Sequence, residues 1–502
     1  MLLPQKNGSS ATGQAIEAVS KVEWTRRKFM VVGLGNLVML SACSAEPQTT
    51  VSQSEQAAHP RTIDEFISTK PFYIAHRGSG DNWVEHTLDS YTESIRAGAS
   101  AIEVSVRATS DGVLICHHDA NLKRTTGTDK LIAESTWAEV SKIYNNAQTW
   151  LGPNSAEQPI SMLKDVLDKF ATEYVIFIED KDGSNTHQLL DLLDRYPDSK
   201  SHFVWKQWAG SKPGRIAKER GYRRWGYFTD DLLARASELE SEFDYLGVNS
   251  SLTDAQMRQF VAYGKPVICW EVHFRSQRDQ LEELGVAGMM CSNIPYVTTS
   301  KPISSTDSFA TGLRPAGDLP WIADKGWGYQ PKIDPYNASL LFNGLLSCYL
   351  MGSMCPVESA SYRLNFEMRW PRDTPGWERS GGIALGMEND GSYVLGAPSK
   401  TSGYHLLLKG SGQLEFYRRQ AGETTGKLLG SVLTRRPEIG QWVSFTITVQ
   451  PGQVTVVRDG DTSSVITVQN LEAWGGYFAL LKSYNQGAEL EYRGISVLDS
   501  LK

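Results

Sequence analysis

The chain has 502 residues and a formal net charge of -7 at pH 7, with 40% hydrophobic and 21% charged residues. This composition is typical of globular domains, and it excludes a chain that is disordered throughout or one with many membrane spans. The negative charge argues against an extended nucleic-acid surface, because such a surface needs clustered Lys and Arg. At this length we expect two folded domains.

The N-terminal residues predict an export signal. Paired arginines in residues 25–29 precede an apolar run, residues 30–40, that is shorter than the ~20 residues of a membrane-spanning helix. The pair resembles a twin-arginine signal, and Leu-Ser-Ala-Cys at residues 40–43 resembles a lipoprotein cleavage site. We therefore predict a signal peptide over 1–42, a lipidated Cys43 and a flexible tether over 43–60. The protein would be an exported lipoprotein, held at the cell membrane on its extracytoplasmic side.

Six cysteines are present, so five remain if Cys43 is acylated. Cys348 and Cys355 lie close in sequence in a segment that would face an oxidising compartment, and we expect them to form a disulfide. The other three stand in apolar runs and are predicted to be small buried hydrophobes: Cys116, Cys269 and Cys291.

From residue 71 to about 300, short β-branched and aromatic runs alternate with helical patterns. This alternation indicates a parallel α/β barrel or a doubly wound sheet. Nine strand-like segments occur, one more than an eight-stranded barrel needs. Because a tight hairpin cannot join two parallel neighbours, one hairpin arm must run antiparallel or lie outside a closed ring.

After a Ser- and Thr-rich linker, residues 301–307, the pattern changes to alternating apolar and polar residues separated by turn signals. Residues 308–502 therefore predict an antiparallel β-sandwich, which resembles concanavalin-like or laminin-G-like domains in its alternation and length. We expect a binding or packing module. Four tryptophans could stack on a cell-envelope glycan, although aromatic residues on such strands are more often core: Trp370, Trp377, Trp442 and Trp474.

Residues 101–119 contain the most informative pattern, two strands joined by Asp111-Gly112. Asp-Gly between strands predicts a two-residue hairpin turn. With that turn, Ser105 lies opposite His118 and Glu103 shares their face, whereas His117 faces the other side.

Further polar residues end two other strands: His76 and Arg77 follow one, and Glu179 and Lys181 follow another. The carboxyl ends of parallel strands are where α/β barrels carry functional groups. Such a set fits phosphoryl chemistry, because carboxylates can hold a divalent cation, Arg and Lys bind phosphate oxygens, and histidines exchange protons.

Residues 72–297 resemble the glycerophosphodiester phosphodiesterase family in the order of their motifs. The matching motifs are His76-Arg77-Gly78, Val84-Glu85-His86-Thr87, Glu103-Val104-Ser105, Asp111-Gly112, His118-Asp119, Ile178-Glu179-Asp180-Lys181, Trp270-Glu271-Val272 and Ser292-Asn293-Ile294-Pro295. The resemblance implies a (β/α)8 TIM barrel over residues 61–300 and a hydrolase that cleaves glycerophosphodiesters to glycerol phosphate and an alcohol. With the predicted signal peptide, this hydrolase would be exported.

The resemblance also implies roles for individual residues. His76 and His118 would act as general acid and base, in either order. Arg77 and Lys181 would bind the phosphoryl oxygens, and Trp270 would form an apolar wall for the substrate. The expected cofactor is a divalent cation, Ca or Mg, and its proposed ligands are Glu103, Glu179 and Glu85.

Two departures from the family pattern matter. Ser105 stands where a second metal-binding aspartate is expected, and a hydroxyl is a weaker ligand for a hard cation. Glu271 replaces the usual threonine and adds a carboxylate of unknown orientation, which could hold the cation in place of Glu85. The alternative hypothesis is therefore a catalytically degenerate surface lipoprotein that binds glycans or other cell-envelope components. A further alternative is a phospholipase D-like enzyme acting on lysolipids.

Overall fold

The computed structural model describes residues 62–319, 330–373, 375–472, 475–484 and 486–499. The predicted signal peptide, the tether with Cys43, and Trp474 lie outside these residues. Within the described part of the chain, none of the helices has the length and apolar character needed to cross a membrane.

A closed ring of eight parallel strands forms the N-terminal domain, which confirms the predicted (β/α)8 TIM barrel. Its region contains these strands: β1 (Phe72–Ala75), β2 (Ala101–Ala108), β3 (Leu114–Cys116), β4 (Tyr144–Asn145), β5 (Gln158–Pro159), β6 (Val175–Asp180), β7 (Phe203–Trp208), β8 (Arg223–Phe228), β9 (Tyr245–Asn249), β10 (Val267–Val272) and β11 (Gly288–Cys291). The ring runs β1-β2-β6-β7-β8-β9-β10-β11 and closes between β11 and β1. As predicted, the extra hairpin arm, β3, runs antiparallel to β2 outside the ring.

Helices lie around the ring, and the first of them closes its amino-terminal end. They are α1 (Ile63–Ser68), α2 (Leu88–Arg96), α3 (Lys123–Thr126), α4 (Trp137–Val140), α5 (Gln148–Leu151), α6 (Leu163–Phe170), α7 (Thr186–Leu193), α8 (Ser199–His202), α9 (Gly214–Glu219), α10 (Ala236–Leu239), α11 (Asp254–Val261), α12 (Arg275–Glu283) and α13 (Ile294–Val297). Capping residues and apolar stripes explain where these helices form. Thr87 caps α2 by accepting from the Ser90 N–H at 3.1 Å, and α6 buries an i, i+3, i+4, i+7 stripe beginning at Leu163.

Strand alternation decides what fills the barrel. On β6, Val175, Phe177 and Glu179 share the inner face, because side chains two residues apart point the same way. At the amino-terminal ends of the strands the interior is apolar and is closed by α1, where the Phe66 ring lies 4.3 Å from that of Phe72. The same alternation delivers polar side chains to the opposite end of the barrel.

Two antiparallel sheets form the C-terminal domain and enclose its apolar core, as predicted for a β-sandwich. Their strands are β12 (Lys332–Asp334), β13 (Ser339–Phe342), β14 (Cys348–Leu350), β15 (Tyr362–Arg369), β16 (Ser380–Met387), β17 (Gly403–Lys409), β18 (Gln413–Arg419), β19 (Lys427–Leu433), β20 (Val443–Gln450), β21 (Gln453–Arg458), β22 (Asp461–Gln469), β23 (Tyr477–Lys482) and β24 (Leu490–Asp499). One sheet has the order β12-β13-β24-β15-β20-β21-β22 and the other β14-β23-β16-β17-β18-β19.

The predicted linker, residues 301–307, is packed onto the sandwich. The Ser304 N–H donates to the Ser353 carbonyl at 2.9 Å, and Asp307 accepts from the Ile495 N–H at 2.6 Å. The domain boundaries given above stay predictions.

The predicted disulfide is wrong, since Cys348 and Cys355 are both free thiols. Cys348 pairs with Leu481 of β23, whereas the Cys355 sulfur accepts from the Phe478 N–H of the same strand at 3.4 Å. Three strand residues span ~10 Å, which is beyond the reach of a disulfide. The other three described cysteines are buried, as expected.

Candidate active site

A cavity of about 200 Å³ lies at the carboxyl ends of the barrel strands. It is lined by His76, Arg77, His118, Glu179, Lys181, Lys206, Trp225, Tyr227, Trp270, Glu271 and Met290. Six of the eight predicted site residues are in this lining. Of the other two, Glu103 accepts a hydrogen bond from Lys206, and Glu85 accepts one from Arg124.

His76 and Arg77 lie in a tight 3-10 turn, His76–Gly78, that follows β1. The turn places Arg77 at φ +53° and Gly78 at φ +78°, a region that strains most side chains. A Cβ at Gly78 would meet the Ser90 hydroxyl at 2.3 Å, so only glycine fits. The turn also directs the Arg77 N–H to Glu103, at 3.0 Å, which fixes the motif against the next strand.

The His76 ring is buried beside two polar side chains. Its Nδ1 lies 3.0 Å from the Ser292 hydroxyl and 3.3 Å from a Glu271 carboxylate oxygen. Burial lowers the pKa of His76 to about 4, although Glu271 acts in the opposite direction. The ring is therefore neutral near pH 7.

The hairpin register differs from the prediction by one residue. Val106 pairs with Cys116, and residues 110–112 form a three-residue turn with Gly112 at φ +80°. The extra turn residue shifts the ladder, so the His117 N–H, and not that of His118, bonds to the Ser105 carbonyl, at 3.0 Å. The predicted pairing of Ser105 with His118 is wrong.

His118 instead enters the cavity from the segment that follows β3. Its Nδ1 lies 2.7 Å from Asp119, whose other carboxylate oxygen accepts from Arg124 at 2.6 Å. Burial lowers the pKa of His118, and the hydrogen bond to Asp119 opposes that effect. When Nδ1 donates to Asp119, Nε2 is the nitrogen left to exchange a proton.

The neighbouring His117 is not in the cavity lining, but it is buried. It bonds the Asp119 carbonyl at 2.9 Å and the Thr125 hydroxyl at 3.1 Å, both in the segment after β3. These bonds give His117 a structural role.

Protein donors surround the Glu103 carboxylate, which is fully buried. It accepts from Lys206 Nζ at 2.6 Å, from the Ser105 hydroxyl at 3.1 Å and from the Arg77 N–H. Burial alone would raise the pKa of Glu103, but Lys206 and nearby His76 hold it well below its usual range.

Glu179 is held in the same way. It accepts from Tyr227 at 2.8 Å, and it lies 3.0 Å from Lys206 and 3.3 Å from Lys181. Burial would raise the pKa of this carboxyl, whereas Lys206 and Lys181 lower it. The third proposed metal ligand, Glu85, forms a bidentate pair with Arg124 at 2.6 and 3.0 Å.

These residues do not fit a divalent cation. Each of the three proposed carboxylate ligands is bonded to cationic or neutral donors, and Ser105 itself acts as a donor. Within the described ranges, no three His, Cys, Asp or Glu side chains are placed to hold a metal ion together. A buried ammonium, that of Lys206, lies between the two central carboxylates.

Sequence reasoning missed Lys206, although a signal existed. Lys206 is the charged residue of strand β7, and it shares the inner face with Val204, two positions earlier. Lysine is almost never fully buried without a partner, so an inward lysine on such a strand requires facing carboxylates.

A second charged group includes Glu271, whose orientation the sequence left open. His273 lies 3.2 Å from both Asp81 and Glu271. Burial opposes protonation of His273, but the two carboxylates raise its pKa to about 10. Burial would raise the pKa of Glu271, but His76 and His273 hold it below the usual range, so an anion lies beside His76.

The expected role of Trp270 as an apolar wall for the substrate stays a prediction, but Trp270 does line the cavity. Its ring meets that of Tyr227 edge-on at 6.0 Å, and Trp225 and Met290 line the same cavity.

Comparison with known proteins decides the class of this site. Residues 76–210 match the glycerophosphoryl diester phosphodiesterase family model. This segment is therefore similar to domains of that family. A probable glycerophosphodiester phosphodiesterase 1 of Mycobacterium tuberculosis is 28% identical over 246 residues, 45% of this chain and 90% of the relative. A glycerophosphodiester phosphodiesterase of Bacillus subtilis is 25% identical over 207 residues, 38% of this chain and 65% of the relative.

Among solved structures, an Oleispira antarctica phosphodiesterase in complex with its product sn-glycerol-3-phosphate shares 19% identity. The alignment covers 46% of this chain and 96% of that one, with a TM-score of 0.40. The predicted enzyme class, a glycerophosphodiester phosphodiesterase, is confirmed by the family and relative matches.

Proposed function

We propose that the protein hydrolyses glycerophosphodiesters to glycerol phosphate and an alcohol. The observation that carries this proposal is the cavity at the barrel mouth, where two histidines that can exchange protons lie with Arg77 and Lys181. Proton-transfer groups and fixed positive charges are the two requirements for cleaving an anionic diester.

In the proposed reaction, one of His76 and His118 takes a proton from the attacking water or substrate hydroxyl as its oxygen bonds to phosphorus. The other histidine, protonated, gives its proton to the alcohol oxygen as the phosphorus–oxygen bond breaks. If the substrate hydroxyl attacks, water later opens the cyclic phosphate. The net change is the addition of one water to the diester.

Arg77 and Lys181 would bind the phosphoryl oxygens, where negative charge is concentrated. Two buried donors of the lining, Arg77 Nε and Trp270 Nε1, have no hydrogen-bond partner within the described chain. Leaving such donors unpaired is unfavourable, and a substrate with acceptor oxygens would relieve that cost. The wall formed by Trp270 and Met290 would face the carbon atoms of the substrate.

The test is release of glycerol phosphate from glycerophosphocholine and glycerophosphoglycerol by the full chain. His118→Asn should lower kcat by about 10² to 10⁴-fold, because it removes a proton-transfer group. His187→Asn, on the exposed side of α7, is the matched control and should leave kcat unchanged. Absence of turnover in the unmodified protein would favour the degenerate, glycan-binding alternative; turnover of lysophospholipids alone would favour the phospholipase D-like alternative.

The export signal, the lipidated Cys43, the membrane location and glycan binding by the sandwich stay predictions. Two of the tryptophans considered for sugar stacking make contacts within the protein instead. Trp370 is buried and donates to Tyr484 at 2.8 Å, and Trp442 lies between the guanidinium groups of Arg369 and Arg493. Trp377 is 61% exposed and remains a candidate.

A further inference from the structure

We propose that the ammonium group of Lys206 takes the place of a divalent cation in this site, so that the barrel cleaves its substrate without a metal. The substrate part of this inference rests on the function proposed above. The part that concerns metal binding stands on the residues alone.

The first support is position. Lys206 Nζ lies 2.6 Å from Glu103 and 3.0 Å from Glu179, on strands β7, β2 and β6 of the same ring. These are two of the three carboxylates that the family resemblance assigns to the metal. A cation placed between them would collide with Nζ, since Ca²⁺ and Mg²⁺ bind carboxylate oxygens at about 2.0 to 2.6 Å.

The second support is charge. Hard divalent cations favour several anionic oxygen ligands, and the change from the expected aspartate to Ser105 removes one of them. The remaining carboxylates, Glu103 and Glu179, share the ammonium of Lys206. The missing acidic side chain at Ser105 and the fixed positive charge of Lys206 both lie on the inner face of the ring, on β2 and β7, with the Glu179 strand β6 between them.

The third support is rigidity. Lys206 is buried, and its ammonium lies 5.8 Å from the ring centroids of both Trp225 and Tyr227. Tyr227 in turn donates to Glu179. A charge held in a partly dry site by packed rings needs little reorganisation when negative charge develops nearby.

The fourth support is access to the substrate. Lys206 lines the cavity together with both proposed proton-transfer histidines. An ammonium has three N–H donors. Two are directed at the carboxylates, and the third is available to a phosphoryl oxygen. Lys206 and Lys181 would then supply the charge stabilisation that a metal ion gives in a metal-dependent phosphodiesterase.

Metal binding by the full chain is the decisive measurement. After EDTA treatment and dialysis, calorimetric titration with Ca²⁺ or Mg²⁺ is expected to show no binding in the cavity, and neither cation should raise Tm. Glycerol phosphate release should be the same in EDTA as in either cation. A site whose occupation is abolished by Glu179→Gln, or activity lost in EDTA and restored by a cation, would overturn the inference.

The double variant Ser105→Asp/Lys206→Ser provides the converse experiment, because it restores three adjacent acidic side chains. It should bind a divalent cation, and its Tm should rise with cation concentration, as expected for a ligand that binds the folded state. Lys212→Ser, an exposed lysine beyond β7, is the matched control and should show no such rise. A folded double variant that binds no cation would contradict the proposed equivalence.

The two proposals fail in different ways. If the unmodified protein binds no cation and cleaves no glycerophosphodiester, the proposed function fails while the role of Lys206 as the internal cation is supported. If it cleaves the diester only with a bound cation, the function holds and the inference about Lys206 is wrong. Should the double variant fail to fold, the measurements on the unmodified protein still decide.

Discussion

His76 and His118 are both shifted toward the neutral form, and this has a consequence for pH dependence. Burial lowers the pKa of His76 to about 4 and that of His118 below its ordinary value of 6.5. Acid–base catalysis needs one ring protonated and the other neutral. We therefore expect kcat/KM to follow a bell-shaped pH profile with both limbs below pH 6.5.

Either assignment of acid and base gives the same profile. Activity falls on the acid side when the base is protonated and on the alkaline side when the acid loses its proton. The measurement is kcat/KM from pH 3.5 to 9 at constant ionic strength, with activity after return to pH 6 as a control for unfolding. A plateau that extends to pH 8 would contradict this prediction.

Some residues of the site could be predicted from the sequence, and others could not. His76, Arg77 and His118 could be placed at the cavity because they lie in or directly after strands whose direction is readable. Lys206 could be predicted to point inward, but not to meet Glu103, which is 103 positions away in the chain. That contact depends on which strands become neighbours in the closed ring.

At the scale of elements, the short helix α1 closes the amino-terminal end of the barrel. Phe66 is fully buried, with its ring 4.3 Å from Phe72 and 5.8 Å from Phe177. Phe66→Ala should lower the free energy of unfolding by about 3 to 5 kcal/mol, because it leaves a cavity in the core. KM should not change, since the cavity with the histidines is at the other end of the strands.

Chemical denaturation with kinetic assay of the same sample would measure both effects. Ser68→Ala, on the exposed side of α1, is the control and should stay within about 0.5 kcal/mol of the unmodified protein. A large change in KM for Phe66→Ala with little loss of stability would contradict the conclusion that α1 only closes the amino-terminal end of the barrel.

The hairpin β2–β3 is the element for which prediction from sequence was least exact. Asp111-Gly112 correctly indicated a turn, but a two-residue and a three-residue turn both accept glycine at that place. Thr109 favours the three-residue turn, because its hydroxyl donates to Asp111 and accepts from the Val113 N–H. One residue of register then moved His118 from the ladder to the loop.

At the scale of the whole molecule, the sandwich caps a barrel helix. Asp390 is buried and accepts from the N–H groups of Arg275 and Ser276, the first residues of α12, and from the Tyr296 hydroxyl at 2.8 Å. A carboxylate at a helix N-terminus is favourable because it meets unpaired N–H groups and the positive end of the helix dipole.

Asp390→Ala should therefore destabilise the contact between barrel and sandwich by about 1 to 3 kcal/mol, since three buried donors lose their acceptor. Differential scanning calorimetry should show that the first unfolding transition moves to a lower temperature. The unfolding temperatures of the two domains should then lie further apart. Lys332→Ala, an exposed change on β12, serves as the control. An unchanged thermogram for Asp390→Ala would show that this contact does not couple the domains.

The sequence by itself determined the repeat of strand and helix, the change to an antiparallel sandwich, and most of the residues in the cavity, including His76 and Arg77. These features follow from side-chain periodicity and turn chemistry, which act over a few residues. Tertiary structure alone decided that Lys206 lies between Glu103 and Glu179, that Glu271 reaches His76, and that Cys348 and Cys355 stay apart. Each of those outcomes depends on the distance between strands far apart in sequence, which ring closure and sheet pairing set.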